Sequence, residues 1–397
     1  MKKIAFVAPW YSEVFSGGAE MAMHAIISQC TARGAEIEVL TTCVESFTAD
    51  WSVNAMPAGE SRMAGILVRR FPVYQRDADA FSNVNAKLMA GKQVSRADEC
   101  VFLSEMINSD ALCDFIAAHR TEYGLFVFIP YMFGVNYFGI KAAGDRAFLI
   151  PCLHDESYAY FDCFKTRFNE LSGMAFLAKP ESELAQRLYG LANVPTKVLG
   201  LGLDMGFTSD AARFRAKFQL DAPFILYAGR KDKGKNVHIL LADFARYKSE
   251  TETNLKLVLL GGGQLPVPES VCDDVIDLGF VDAQDKYDAY AAAEFLCQPS
   301  ANESFSIVIM ESWLCGRPIL VNGDCAVTTS FAKESNGGLY YHNYEEFAGA
   351  VRYLTQHTDV ATEMGQMGNA YVRTHFNWDT VAENYLEFFR QVGKSCD

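Results

Sequence analysis

Two glutamates, Glu303 and Glu311, bracket the stretch Glu303-Ser304-Phe305-Ser306-Ile307-Val308-Ile309-Met310-Glu311. The apolar run Phe295–Gln298 ahead of it reads as a strand, and a helix is expected to begin around Ser306. Glu303 then lies in the connecting loop and Glu311 on the second helical turn. Eight helical rises span roughly 12 Å, comparable to the length of a nucleotide diphosphate sugar. The free N–H groups of Phe305 and Ser306 point out of the helix N-terminus, where an anion is favoured. One carboxylate could hold sugar hydroxyls, the amides a phosphate, and the other carboxylate a ribose diol. The plainer alternative is a helix with an exposed glutamate at each end, the first serving as a cap.

A second constellation, Arg230-Lys231-Asp232-Lys233-Gly234-Lys235-Asn236, follows the strand-like run Phe224–Ala228. Four cations within six positions stand out in a chain of formal net charge −14. At the carboxyl end of a parallel strand they form a diphosphate clamp, the guanidinium through bidentate contact and a lysine as a compact charge. A solvated basic loop is the alternative. Gly17 and Gly18, after the run Ile4–Ala8, would let backbone amides approach a phosphate with no Cβ in the way. His154, beyond the run Phe148–Leu153, would face a ligand crevice or be an ordinary hydrogen-bonded histidine. Gly261-Gly262-Gly263 follows Leu255–Leu260 and reads either as part of the same site or as a flexible turn.

The elements that must position these residues recur along the chain. Short apolar runs at Ile37–Thr41, Ile66–Val73, Leu125–Ile129, Met174–Ala178, Val198–Leu201, Val275–Leu278 and Ile319–Val321 complete the strand series. Helices are expected at Glu20–Arg33, Ser182–Leu191, Lys235–Lys248, Asp285–Ala293, Ser306–Cys315 and Tyr344–His357. Such alternation indicates parallel α/β sheets. The series restarts near Pro223, and 397 residues exceed what a single core usually supports. The expectation is two doubly wound, Rossmann-like domains, residues 1–203 and 204–376. Ligands bind at the carboxyl ends of the strands, here in an interdomain cleft.

Composition narrows the partners. Lys and Arg number 35 against 49 Asp and Glu, the wrong balance for a nucleic-acid binder. Eleven scattered cysteines without a C-x-x-C pair read as reduced thiols in the cytoplasm. Met1 to Trp10 is a first strand rather than a signal peptide, because Glu13 interrupts it. The uncharged stretch Tyr123–Ile140 is long enough to span a bilayer. It is broken by Pro130 and several glycines, so it divides into a buried strand and a loop leading to a helix that ends near Lys141.

All the candidate residues fall at carboxyl ends of strands, and together they resemble a known family: retaining glycosyltransferases of GT-B fold, in the group-four class (glycosyl transferases group 1). The matching features are Ser16-Gly17-Gly18-Ala19-Glu20, His154, the run Gly229 to Asn236, the Gly261–Gly263 turn, Gly279-Phe280-Val281, Glu303-x7-Glu311, Cys315-Gly316-Arg317-Pro318 and Asn336-Gly337-Gly338-Leu339. The resemblance implies roles. Arg230 and Lys235 hold the donor diphosphate, and Glu303 contacts hydroxyls of the transferred sugar, helped by the amides of Phe305 and Ser306. Glu311 accepts from the ribose, the backbone around Phe280 meets the nucleobase beside Gly262, and Gly17 or Gly18 closes over the phosphates. His154 lies under the sugar ring, and the C-terminal helix at 377–397 crosses back to pack on the first domain. It implies a nucleotide-sugar donor, no cofactor and no bound metal, with attack on the face from which the leaving group departs. Two departures stand out: Lys233-Gly234 imitates the family's Lys-Gly, so Lys233 competes with Lys235, and Ala178-Lys179-Pro180 replaces a common serine.

Asp77-Ala78-Asp79 has the D-x-D spacing of a manganese site but sits in a polar stretch that does not end a strand. Residues 61–97 carry seven basic residues (Arg62, Arg69, Arg70, Arg76, Lys87, Lys92, Arg96) against two acidic ones. That excess points either to an anionic, lipid-linked glycan acceptor at the inner face of a membrane or to a solvated helix and loop. The expected activity is hexosyl transfer to a glycan or lipid-linked glycan in bacterial surface polysaccharide biosynthesis. A nucleotide-sugar epimerase of the same architecture and a non-catalytic nucleotide-sugar binder are the alternatives.

Overall fold

Apolar runs of four to six residues between amphipathic helices do form parallel strands, because a strand covered on both faces has no polar side to present. The computed structural model describes residues 2–12 and 17–393, so Ser16, Cys396 and the last residues of the returning tail lie outside it. The chain divides into two compact units, Met1–Leu201 with Asp379–Asp397, and Gly202–Trp378.

The first unit is built on β1 (Ile4–Ala8), β2 (Ile37–Thr42), β3 (Gly59–Met63), β4 (Ile66–Phe71), β5 (Leu125–Phe128), β6 (Ala147–Leu149), β7 (Gly173–Phe176) and β8 (Thr196–Val198). They form one sheet in the order β3-β4-β2-β1-β5-β6-β7-β8. Every pairing is parallel except β3 with β4. That antiparallel edge is absent from the sequence expectation. It is a hairpin turned at Ala64 and Gly65, both with positive φ, and its outer strand is too polar to show an apolar run. Strand β8 also lies earlier than the expected Val198–Leu201. The 123–140 stretch becomes β5, the Pro130 loop and the helix Gly134–Ala143. Among the described residues no helix is long and apolar enough to cross a membrane. The helix Trp378–Val392 returns to this unit, where Phe388 and Phe389 pack edge-on against Phe148 and the Tyr385 hydroxyl donates to the Gly200 carbonyl at 3.0 Å.

The second unit holds β9 (Phe224–Ala228), β10 (Lys256–Leu260), β11 (Val275–Gly279), β12 (Phe295–Gln298), β13 (Ile319–Asn322) and β14 (Gly338–Tyr341), in the order β11-β10-β9-β12-β13-β14 and parallel throughout. Strand order reverses between β9 and β12. Loops leaving those neighbours diverge, which opens the crevice in which doubly wound sheets hold ligands. In the first unit the corresponding reversal falls between β1 and β5.

The basic stretch 61–97 is not one exposed cationic surface. Arg69 faces Glu60 directly across the β3–β4 pairing and is ion-paired with it and with Glu38. Arg70 is buried, donating to the Tyr11 carbonyl and the Ser61 hydroxyl. Arg76 donates to the Glu105 carbonyl and stacks over Trp51, and Lys87 pairs with Asp98 at 2.7 Å. A charge count within a window misses partners just outside it. Asp77 caps the helix Ala78–Met89 by accepting from the Ala80 N–H, a local structural role.

The loops after β6 and β7 share one buried acceptor. Glu181, in the first turn of the helix Lys179–Tyr189, accepts the N–H groups of Leu153 at 2.7 Å and Leu177 at 2.6 Å. It supplies the acceptor that Ala178 lacks at the start of this helix. Burial pushes its carboxyl from 4.5 up to about 8, against the pull of the N–H donors of Leu153, Leu177 and Ala178. A folded-state value above the unfolded one means the folded chain binds the extra proton. Stability from this group is complete below about pH 4.5 and is lost as pH rises through about 8. Urea unfolding at pH 5 and pH 8 is expected to show the wild type losing more stability than Glu181→Gln over that interval.

Candidate functional site

Reversal of strand order brings the two constellations of the second unit together. Lys235 sits after β9, ahead of the helix Val237–Glu250, and Glu303 sits in the loop after β12. Their side chains form an ion pair at 2.8 Å, with Glu303 well buried and Lys235 partly so. The loops are stitched underneath: the Asn236 and Asn322 amides both donate to the Pro299 carbonyl, at 3.2 and 2.9 Å. Lys235 is further positioned by its own N–H, which donates to Asp232 Oδ1 at 2.9 Å. Lys233 is exposed, so among the described contacts Lys235 is the lysine held against the glutamate. Arg230 is half-exposed and pairs with Asp232 at 2.8 Å rather than with Glu303.

The helix starts one residue later than expected, at Ile307, with Ser306 as its N-cap in a left-handed conformation. The Ser306 hydroxyl is buried and has no hydrogen-bond partner among the described residues. Phe305 is a core residue, edge-on to Phe331 and Phe376, so only its backbone is available to a ligand. Glu311 is on the second turn as expected, yet it is not an open carboxylate. It is 5% exposed and accepts from Lys286 Nζ at 2.6 Å and the Tyr290 hydroxyl at 3.0 Å. Burial, reinforced by Glu311, raises the Tyr290 phenol well above its usual range, so it stays a donor. A carboxylate has about four lone-pair positions, which leaves capacity for a diol beside these two donors. Sequence reading missed Lys286 and Tyr290. They lie on the helix Ala283–Ala292, and only the packing of that helix on Ile307–Leu314 joins them to Glu311.

The glycine turn after β10 is a close approach of backbones, not a flexible linker. Gly261 has φ +114°, and a Cβ there would lie 2.2 Å from the Gly229 carbonyl oxygen. The Phe280 ring covers Gly262, 2.6 Å from where a Cβ would stand, and is itself 85% exposed. An exposed aromatic ring beside a bare glycine is a surface on which a flat ring can be laid.

Gly17, Gly18 and His154 belong to the first unit. Gly17 is the N-cap of the helix Gly18–Ala32, with its N–H donating to Glu20 at 3.0 Å and extended φ and ψ. Among the described residues no atom lies within 4 Å of a Cβ built at either glycine. Close by, a cavity of about 40 Å³ is lined by Trp10, Tyr11, Glu20 and His24. His154 follows β6 with its ring 3.8 Å from Glu156, whose carboxylate also accepts from the Tyr131 hydroxyl. Among the described residues no group of three or more His, Cys, Asp or Glu side chains is placed to hold a metal ion.

Residues 222–357, from β9 through Glu311 to the helix after β14, match the family described as Glycosyl transferases group 1. The match lies within the second unit. D-inositol 3-phosphate glycosyltransferase of Saccharomonospora viridis is 26% identical over 232 residues, which cover 53% of this chain and 54% of that protein. The chain thus spans about half the length of the curated relatives it matches. Two solved structures share the fold over nearly all of both chains. Sucrose-phosphate synthase from Thermosynechococcus elongatus has a TM-score of 0.71 at 17% identity, covering 99% of each chain. Anabaena HepE in complex with UDP-glucose has a TM-score of 0.67 at 17% identity, covering 98% of this chain and 100% of that one. This likeness establishes the fold class, two Rossmann-like domains of GT-B type.

Gly261 combines a positive φ with a backbone carbonyl where a Cβ would stand. Gly261→Ala must strain φ and displace the Gly229 loop, and is expected to cost about 2–4 kcal/mol in equilibrium unfolding. Gly17→Ala, with an ordinary φ and no described atom within 4 Å of the new Cβ, is expected to cost at most about 1 kcal/mol.

Proposed function

We propose that the protein is a retaining, metal-independent glycosyltransferase. It moves a hexose-type sugar from a nucleotide diphosphate sugar to a glycan or lipid-linked glycan, in bacterial surface polysaccharide biosynthesis. The Lys235–Glu303 pair at the β9/β12 reversal carries this reading, because it sets a cation for a diphosphate beside an acceptor for sugar hydroxyls. Arg230 and Lys235 neutralise the diphosphate as its charge grows. Glu303 accepts from the sugar, the backbone N–H groups at Phe305 and Ser306 face the phosphate, and Glu311 accepts from the ribose. Phe280 and Gly262 receive the nucleobase. His154 contacts the transferred sugar, and Gly17 or Gly18 closes on the phosphates. The bond from the anomeric carbon to the phosphate oxygen breaks, the acceptor oxygen bonds to that carbon on the same face, and the acceptor proton passes to the departing phosphate. No protein general base is assigned. Support comes from the match to Glycosyl transferases group 1 and from the similarity in fold to a protein solved with UDP-glucose.

Peripheral contact with an anionic membrane, at its cytoplasmic face, is part of the proposal through the exposed Arg62, Lys92 and Arg96 alone, since Arg69, Arg70 and Lys87 are engaged within the fold.

Thermal-shift screening against UDP-, GDP- and ADP-sugars is expected to identify one donor, since ligand at 100 times Kd adds about 2.7 kcal/mol of stability. Incubation of that donor with glycan acceptors separates a transferase from an epimerase, which needs no acceptor, and from a binder, which consumes nothing. Lys235→Ala and Glu311→Ala are expected to weaken the donor complex, the former by ~2–5 kcal/mol. His154→Ala is expected to lower turnover in a folded protein. Transfer at the wild-type rate by Lys235→Ala overturns the assigned clamp.

A further inference from the structure

Of the four cations between Arg230 and Lys235, Lys231 has no part in the donor contacts described above, yet it is the buried one, 4% exposed. Its Nζ donates to Asp277 Oδ1 on β11, and the same oxygen accepts the Gly279 N–H at 2.9 Å. Its own N–H donates to the Gly262 carbonyl at 2.7 Å. Its carbonyl oxygen lies 2.6 Å from where a Cβ on Gly263 would stand, so the two backbones touch. One residue therefore ties together the loops that leave β9, β10 and β11. Those loops carry Arg230, Gly262 and Phe280.

Packing alone does not call for a charge here. Desolvating a lysine this completely is costly, and an apolar pair of similar size often gives equal or greater stability. What an ion pair adds is direction. The ammonium group holds one carboxylate oxygen, that oxygen holds the Gly279 N–H, and Gly279 with φ +64° sets the course of the chain into Phe280. At its other end Lys231 is bonded directly to Arg230, whose carbonyl is pinned by the Tyr227 hydroxyl at 2.6 Å.

We infer that Lys231 is a positioning residue for the donor nucleotide: through Asp277 it fixes the loop bearing Arg230 against the loop bearing Phe280, so that diphosphate and base are met at a set separation. The inference rests on the donor-site reading of this domain. Small displacements of binding groups are costly even when nothing that touches the ligand is removed.

The probes are UDP, GDP and ADP, titrated calorimetrically into the full chain as wild type, Lys231→Met, Lys231→Arg, Asp277→Asn and the Met/Asn double variant. For the nucleotide that binds best, Lys231→Met and Asp277→Asn are each expected to weaken affinity about 10- to 100-fold. The double variant is expected to lose no more than the worse single one, because the two side chains act as a unit. Lys231→Arg is expected to restore most of the affinity. Thermal midpoints of Lys231→Met and the double variant should stay near that of the wild type, since methionine suits the buried stem and Asp277, with its side chain 39% exposed, can hydrate, whereas Asp277→Asn leaves the buried ammonium beside a neutral amide and is expected to melt lower while still folding. If Lys231→Met does not fold, Asp277→Asn carries the same test, because it keeps the acceptor for Gly279. Wild-type affinity in the folded double variant overturns the inference and leaves the donor-site reading standing. Failure of the wild type to bind any of the three nucleotides overturns that reading, and the inference with it.

Discussion

Parallel strands all deliver their loops to one edge of the sheet, and where strand order reverses two of those loops must part. That constraint organises the second unit. The loop after β9 carries a run of cations and the loop after β12 carries a glutamate, and the gap between them is bridged by Lys235 and Glu303. The stitches to the Pro299 carbonyl keep the backbones in place while the charged side chains stay partly accessible. A cation and a carboxylate fixed this way are ready for a ligand that is anionic at one end and rich in hydroxyls at the other.

The rest of the domain sharpens that arrangement. Glu311 would be costly to bury alone, and Lys286 and Tyr290 make its burial tolerable while leaving lone pairs for other donors. On the β11 side the Gly229, Gly261 and Gly279 segments hydrogen-bond to one another through their backbones, and Lys231 continues the seam to Asp277. The outcome is a graded edge: charge at the reversal, a buried carboxylate behind it, and an exposed phenylalanine at the far loop. Local order here comes from backbone approach and shared acceptors, both independent of ligand.

In the first unit the same principle yields less chemistry and more structure. Glu181 joins two loops through their N–H groups, Glu20 caps the first helix, and Asp77 caps another. The arginines that read as a basic surface are absorbed by Glu38, Glu60 and backbone carbonyls. Strand pairing sets Arg69 against Glu60 and turns Arg70 inward onto carbonyl and hydroxyl acceptors, which is why neither could be judged from its segment.

The family resemblance supplied the returning helix and the choice of Lys235; periodicity, strand-end position and residue type were enough to read the parallel α/β class, the restart near Pro223, most strands of both sheets, and Glu303 and Glu311 as candidates. All of those are local signals, since an apolar run or a cap needs only its neighbours in the chain. What the chain could not show were relations between distant segments. The antiparallel edge β3 has no apolar face. Lys286 and Tyr290 reach Glu311 only through helix packing, and Lys231 finds Asp277 only because β9, β10 and β11 lie side by side. Which charges are free and which are spent on one another depends on distances of a few ångströms between residues tens of positions apart. Tertiary structure alone decides that.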